Sequence, residues 1–204
     1  MEFRTKVELP LKGPEIHHAD QLMMWGSCFS EHIGNLLSEN KFTCDVNPFG
    51  VLYNPISIAS SIQRLLDGLP YQKQDLHQEQ GQWYSLMHHS SFSSADITEC
   101  LDKINQRIMS GHEHLLHADW LIFTWGSSFV YTWKEDGKIV GNCHKLPARL
   151  FERHMISADE IATAYLPLLQ QLRSLRPHLQ CLFTVSPIPV SYTHLRAHET
   201  GAYL

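Results

Sequence analysis

The feature that most constrains this chain is a repeated change of hydrophobic period. Short apolar runs that stop at glycine or proline turns alternate with stretches whose apolar residues recur every three or four positions. Gln21-Leu-Met-Met-Trp25, residues 42–46, Asp119-Trp-Leu-Ile-Phe-Thr-Trp125 and Gln180-Cys-Leu-Phe-Thr-Val185 read as strands. Between them the spacing predicts a helix over 30–41, with Ile33, Leu36 and Leu37 turned inward. A second helix opens at Pro55, buries Ile56, Ile58, Ile62, Leu65 and Leu66, and closes at Asp67-Gly68. A third runs over about 96–110. A fourth starts at the capping box Ser157-Ala-Asp-Glu160 and runs to about Arg176, where Pro177 ends it. Strand and helix in alternation imply an α/β fold with a mainly parallel sheet covered on both faces. Two segments interrupt the pattern: a polar, irregular stretch over 69–95, and a hairpin over 130–140 around Asp136-Gly137.

Composition supports a folded domain and narrows its partners. The 204 residues are 43% hydrophobic and 18% charged, which excludes a disordered tail or a disulfide-stapled miniprotein. The net charge is −5, with no Lys/Arg stripe, so no nucleic-acid partner is expected. Fourteen histidines are the anomaly: protonating all of them would carry the charge to +9. The first residues lack the apolar core of a secretory signal, and no apolar run reaches the roughly 18 residues of a membrane span. Five scattered cysteines without a C-x-x-C pair fit reduced thiols in a cytoplasmic protein.

In a parallel sheet, ligands bind beyond the carboxyl ends of the strands. Three such ends carry chemistry-bearing residues: Gly26-Ser27-Cys28, Asn47-Pro48-Phe49-Gly50 and Gly126-Ser127-Ser128. Cys28 follows a strand and opens a helix, where the dipole favours a thiolate, so it is a candidate nucleophile with Ser27 as a second. The competing reading is an inert, packed cysteine. The N–H groups of Gly50 and Gly126 are oxyanion-donor candidates or plain turn glycines. Asn47 and Asn54 are amide donors for the same purpose or residues closing Asx turns. His144, in Asn142-Cys143-His144-Lys145, suits a base, a substrate donor or a metal ligand. His88-His89 and His17-His18 are further loop pairs. No metal site is expected, since paired ligands at two- to four-residue spacing are missing, and no cofactor is implied.

These strand-end residues also carry a resemblance. Gly26-Ser-Cys-Phe-Ser30 resembles the signature of the GSCFA domain family, with Ser30 where the signature has alanine. The likeness continues in order through Asn47-Pro-Phe-Gly50, Tyr53-Asn54-Pro55, Phe123-Thr-Trp-Gly126, Asn142-Cys-His-Lys145 with Pro147 and Phe151, and Thr184-Val-Ser-Pro187. The resemblance implies an SGNH-hydrolase-like, three-layer α/β/α sandwich of bacterial type, with esterase or acyltransferase chemistry. It lays Cys28 on the superfamily's nucleophile position, Ser27 on the position before it and Gly50 on an oxyanion glycine. The third-block asparagine has no counterpart, because Ser127-Ser128-Phe129 follows Gly126.

The resemblance also sets domain boundaries: an extension over 1–20, a GSCFA domain over 21–188 that is incomplete at its C-terminus, and an unrelated tail over 189–204. That tail looks like translated adapter sequence and lacks the Asp-x-x-His block that supplies the base in SGNH enzymes. This chain is therefore expected to have little activity, with His144 or His88 as substitute bases. Three functions follow as expectations. The first is an acyl hydrolase or acyltransferase acting on a small-molecule or carbohydrate ester. The second is a non-catalytic sugar- or acyl-binding domain using Trp125, Tyr131 and Trp133. The third, kept as an alternative against the missing ligand spacing, is a metal site formed by Cys28, His88 and His144.

Overall fold

The computed structural model describes residues 13–186. At its centre lies a four-stranded parallel sheet in the order β2-β1-β5-β9, formed by β1 (Gln21–Trp25), β2 (Thr43–Val46), β5 (Trp120–Trp125) and β9 (Gln180–Val185). Leu22 pairs with Trp120 and Cys44, and Ile122 with Leu182, so every strand runs the same way and all carboxyl ends meet at one edge. The helices are α1 (Cys28–Glu39), α2 (Pro55–Asp67), α3 (Ile97–His117) and α4 (Ala158–Leu175).

Side chains alternate across the sheet. Met23, Trp25, Leu121 and Phe123 face one side and pack with Ile58, Ile62 and Leu65 of α2, Ile104 and Ile108 of α3, and Leu168 and Leu172 of α4 in one core cluster. Leu22, Met24 and Ile122 are buried on the other side, where α1 lies. The protein is thus an α/β domain with helices on both faces of a mainly parallel sheet, as the alternating periods imply.

A smaller lobe carries the remaining strands: β3 (His77–Glu79) with β4 (Gln82–Tyr84), and β6 (Phe129–Trp133) between β7 (Ile139–Val140) and β8 (Phe151–Met155). Tyr84, Leu86, Val140 and Phe151 form its own core.

The structure departs from the sequence expectation at four places. Helix α1 begins two residues early, at Cys28, and its buried residues are the small Ser30 and Gly34 rather than its leucines; Leu36 is 49% exposed. The reason is close approach: a Cβ on Gly34 would stand 2.3 Å from Val46 Cγ2. Helix α3 continues to His117 because Gly111 is a packing site against Leu65 rather than a stop. The polar 69–95 stretch contains the β3–β4 hairpin, turned by Gln80 and Gly81, both with positive φ. Strand β8, Phe-Glu-Arg-His-Met, carries no apolar alternation and is fixed by pairing with β6. The expected tail over 189–204, and Pro187, lie outside the described residues.

Candidate functional site

Three strand ends converge through backbone hydrogen bonds. After β1, Gly26 turns the chain with φ +152°, and a Cβ there would stand 2.4 Å from Ser30 Oγ and 2.8 Å from Thr124 Cβ. Its N–H donates to Asn47 Oδ1 at 2.9 Å, and its carbonyl accepts from Leu52 N at 3.2 Å. After β2, Asn47 adopts φ +47° and donates its own N–H to Met24 O. After β5, the N–H groups of Gly126 and Ser127 both donate to Tyr53 O, at 2.8 and 3.1 Å. The segment 47–54 is thereby clamped between the other two strand ends.

At this junction Ser27 and Cys28 part company. Ser27 is the N-cap of α1: it is buried, and its Oγ accepts from Phe29 N at 3.2 Å. Cys28 is the first helical residue and is exposed. In the first turn, Phe29 N is capped by Ser27 and Glu31 N bonds to Ser27 O; the amides of Cys28 and Ser30 are among those for which a helix start offers no intrahelical acceptor, and Ser30 is wholly buried.

The expected oxyanion donors are otherwise engaged. Gly50 N donates to Asn47 O at 2.8 Å and Gly126 N to Tyr53 O. Asn54 caps α2, accepting from Ser57 N at 2.8 Å and donating to Ser57 Oγ at 3.0 Å. Asn47 Nδ2 is buried without a hydrogen-bond partner.

The histidines form a second cluster beside Gly50. A Cβ on Gly50 would stand 2.2 Å from His89 Cβ, and His89 N donates to Phe49 O at 2.8 Å. His88 is wholly buried, stacked on Phe49 at 4.4 Å between centroids and edge-on to Tyr71 and Phe92. Its Nδ1 meets Ser85 Oγ at 3.0 Å, and its Nε2 has no partner. Burial, then the neighbouring His144 and Arg64, push its pKa down to about 3. His144, with φ +47°, donates Nε2–H to Ser85 O at 2.8 Å, and burial lowers its pKa. Cys143 beside it is pushed up to about 12 by burial.

Among the described residues no hydrogen bond joins Cys28 to a histidine. Among the described residues, no three His, Cys, Asp or Glu side chains are arranged to hold a metal ion, so Cys28, His88 and His144 do not form such a group. Of the expected stacking residues, Trp125 bonds through Nε1 to Tyr165 Oη at 3.2 Å, and Trp133 packs at 5.1 Å on Phe151. Two cavities among the described residues lie elsewhere, one against α3 and one around Asp119, Leu175 and His178. No described helix is long and apolar enough to cross a membrane.

The junction is built from the same blocks that carry the sequence resemblance, and a family model matches them: the GSCFA family, over residues 21–201. The chain belongs to the GSCFA family. No curated protein and no solved structure matches it. In this GSCFA domain the Gly26–Ser30, Asn47–Gly50, Tyr53–Pro55 and Phe123–Gly126 blocks meet at one sheet edge, while Asn142–Lys145 reaches them through the 85–89 loop, where Gly141 N and Asn142 N donate to Leu86 O.

Two further residues beside Cys28, Tyr53 and His32, lie outside the strand-end motifs. Tyr53 is half-buried, and its phenol is pushed up to about 12 by burial first, then by Cys28 and Glu31. His32 is exposed one helical turn beyond Cys28. The i,i+4 spacing puts the two on one face of α1, one turn apart. A Cys-x-x-x-His spacing inside a helix was the available signal.

Proposed function

We propose that this GSCFA domain performs acyl transfer from a small-molecule or carbohydrate ester through a thiol nucleophile, Cys28. The observation that carries the reading is the exposure of Cys28 at the first position of α1, at the meeting point of three parallel-strand ends, while Ser27 is buried and spent on the cap. In this reading the thiol passes its proton to His32 and sulfur attacks the ester carbonyl carbon. The tetrahedral oxyanion lies against the amide of Cys28, at the positive end of the helix. The alcohol leaves with the proton from the imidazolium, and water or a second alcohol takes the acyl group from sulfur.

The test is stoichiometric acylation. Incubation with p-nitrophenyl acetate should release one p-nitrophenolate per chain in a burst, with a mass increase of one acetyl mapped to Cys28. Cys28→Ala should abolish the burst and Ser27→Ala should retain it. Acylation spread over several residues, or unchanged by Cys28→Ala, refutes the reading.

A second reading, a non-catalytic ligand-binding domain, draws on one observation: the N–H groups of both Gly50 and Gly126 are bonded to protein carbonyls. It predicts ligand binding that survives Cys28→Ala with no burst in either protein.

A further inference from the structure

A cleft outside the strand-end site lies between α3 and the turn at Ser90–Phe92. It has a volume of about 400 Å³ and is lined by Ser91, Phe92, Lys103, Gln106, Arg107 and Ser110. That volume is at the small end of the roughly 300–1,000 Å³ range of small-molecule sites. Four of the six residues follow helical spacing, at 103, 106, 107 and 110, so one face of α3 supplies an entire wall. The opposite wall is fixed by His89, whose Nδ1 accepts from Ser91 N at 3.2 Å, and by the Phe92 ring, held edge-on by buried His88 at 5.1 Å.

The charges are arranged asymmetrically. Both cations have carboxylate partners: Lys103 pairs with Glu99 at 2.7 Å, and Arg107 grips Asp45 through both terminal nitrogens. Neither carboxylate lines the cleft. Asp45 is nearly buried on β2, and Glu99 lies one turn back along α3, where it also accepts from Ser94 Oγ. The wall that a ligand meets therefore carries two positive groups, two hydroxyls, one amide and one aromatic ring, and no negative group. The Lys103–Glu99 pair is solvent-exposed, so redirecting the ammonium toward a ligand costs little. Arg107 is held in place by Asp45 and also reaches Val46 O, which anchors the cleft to the end of β2.

We propose that this cleft binds a small anionic polyol: its negative group on Lys103 and Arg107, its hydroxyls on Ser91, Ser110 and Gln106, and its carbon face on Phe92. Cations select the anion, hydroxyls and amide select a hydroxylated body, and an aromatic face suits the C–H side of a sugar-like ring. The same chemistry is offered by a sugar phosphate and by a sugar acid. The site shares no residue with the Cys28 junction and does not depend on its chemistry.

Calorimetric titration of the purified protein with glucose 6-phosphate, glucuronate, glucose and inorganic phosphate tests this. One saturable site is expected for glucose 6-phosphate or glucuronate, and the tighter of the two identifies phosphate or carboxylate as the recognised group. Glucose and phosphate alone should each bind at least tenfold more weakly. Lys103→Glu should weaken binding at least tenfold and Gln106→Ala several-fold, both with an unchanged thermal midpoint, whereas Cys28→Ala should bind like the wild type. Lack of saturable binding by either anionic sugar overturns the proposal, as does binding insensitive to Lys103→Glu. Phosphate alone binding as tightly as glucose 6-phosphate overturns the polyol part, and loss of binding in Cys28→Ala moves the ligand to the strand-end site.

Discussion

Asn47 Oδ1 accepts the buried N–H of Gly26 at 2.9 Å, so the end of β2 holds the turn that presents Cys28. The bond also explains the backbone of Asn47, whose φ of +47° is tolerated better by asparagine than by most residues. Asn47→Ala leaves the Gly26 N–H without its acceptor and places an alanine in the left-handed region. A loss of about 3 kcal/mol is expected in urea unfolding, the sum of an unmet buried donor and about 1 kcal/mol of backbone strain. Asn47→Gly removes the strain and keeps the deficit, so it should lose about 1 kcal/mol less. Both variants should slow acylation of Cys28. Two substitutions that each cost under about 0.5 kcal/mol would show that the side chain does not hold the turn.

Gly50 and Gly81 separate backbone strain from steric conflict. Their φ angles are nearly equal, +77° and +75°, but a Cβ on Gly50 would stand 2.2 Å from His89 Cβ while one on Gly81 meets nothing within 4 Å. Gly81→Ala is expected to cost about 1 kcal/mol, from φ alone. Gly50→Ala must also push the 85–92 loop off the strand end, and about 3 kcal/mol is expected. Thermal or chemical unfolding of the pair gives the difference directly. Equal losses would mean that the histidine loop yields freely and is not braced on Gly50.

The sheet was legible because its strands are continuous apolar runs and its helices are capped by residues that announce themselves. Ser157 and Glu160 form the expected capping box, and Gly68 ends α2 with φ +61°. What stayed hidden depended on distant partners. Strand β8, with the sequence Phe-Glu-Arg-His-Met, is a strand only because β6 lies beside it, with Tyr131 against Arg153. The convergence of the three strand ends was likewise readable, since parallel topology forces it. The use of each donor was not: that Gly50 N turns back onto Asn47 O, or that Ser27 is consumed by a cap, depends on local closure that spacing does not encode. Nor could sequence show His88 entirely enclosed by Phe49, Tyr71 and Phe92, since loop histidines are ordinarily solvated.

The cysteines should separate by access. Cys28 is exposed at the start of α1, whereas Cys100 is buried with its thiol donating to Trp83 O at 3.4 Å. Burial pushes the Cys44 thiol up to about 11 and that of Cys143 to about 12. Cys181 is exposed as a residue on β9, yet burial of its thiol pushes it up to about 11, and the raised thiol is taken to govern its rate. Under native conditions near neutral pH, iodoacetamide is expected to modify Cys28 at least about tenfold faster than Cys44, Cys100 or Cys143, with Cys181 between. Site-resolved mass spectrometry over a time course reads this. A Cys143 as fast as Cys28 would mean that the 141–145 loop opens readily, and it would weaken the case for a single reactive thiol.

Acid should expose the buried histidine. In the folded protein the pKa of His88 is pushed down to about 3, chiefly by burial, from its ordinary 6.5. Between those values the unfolded chain binds a proton at this site that the folded protein refuses. Stability therefore falls as pH drops below 6.5, by about 1.4 kcal/mol per unit from this group, until the folded-state value is reached. Carboxylates and other histidines add their own slopes, so the measurement is a difference between two proteins. His88→Phe keeps an aromatic ring against Phe49 and Tyr71, gives up the bond to Ser85 at every pH, and cannot take the proton. Between pH 7 and pH 5 its unfolding free energy should fall by about 2 kcal/mol less than that of the wild type. Parallel curves would mean that His88 takes up its proton in the folded state at ordinary cost, which requires the 85–89 loop to open and carry the imidazole to water. The same opening would lift His89 from Gly50, so the pH series reports on the bracing of the strand end as well as on the histidine.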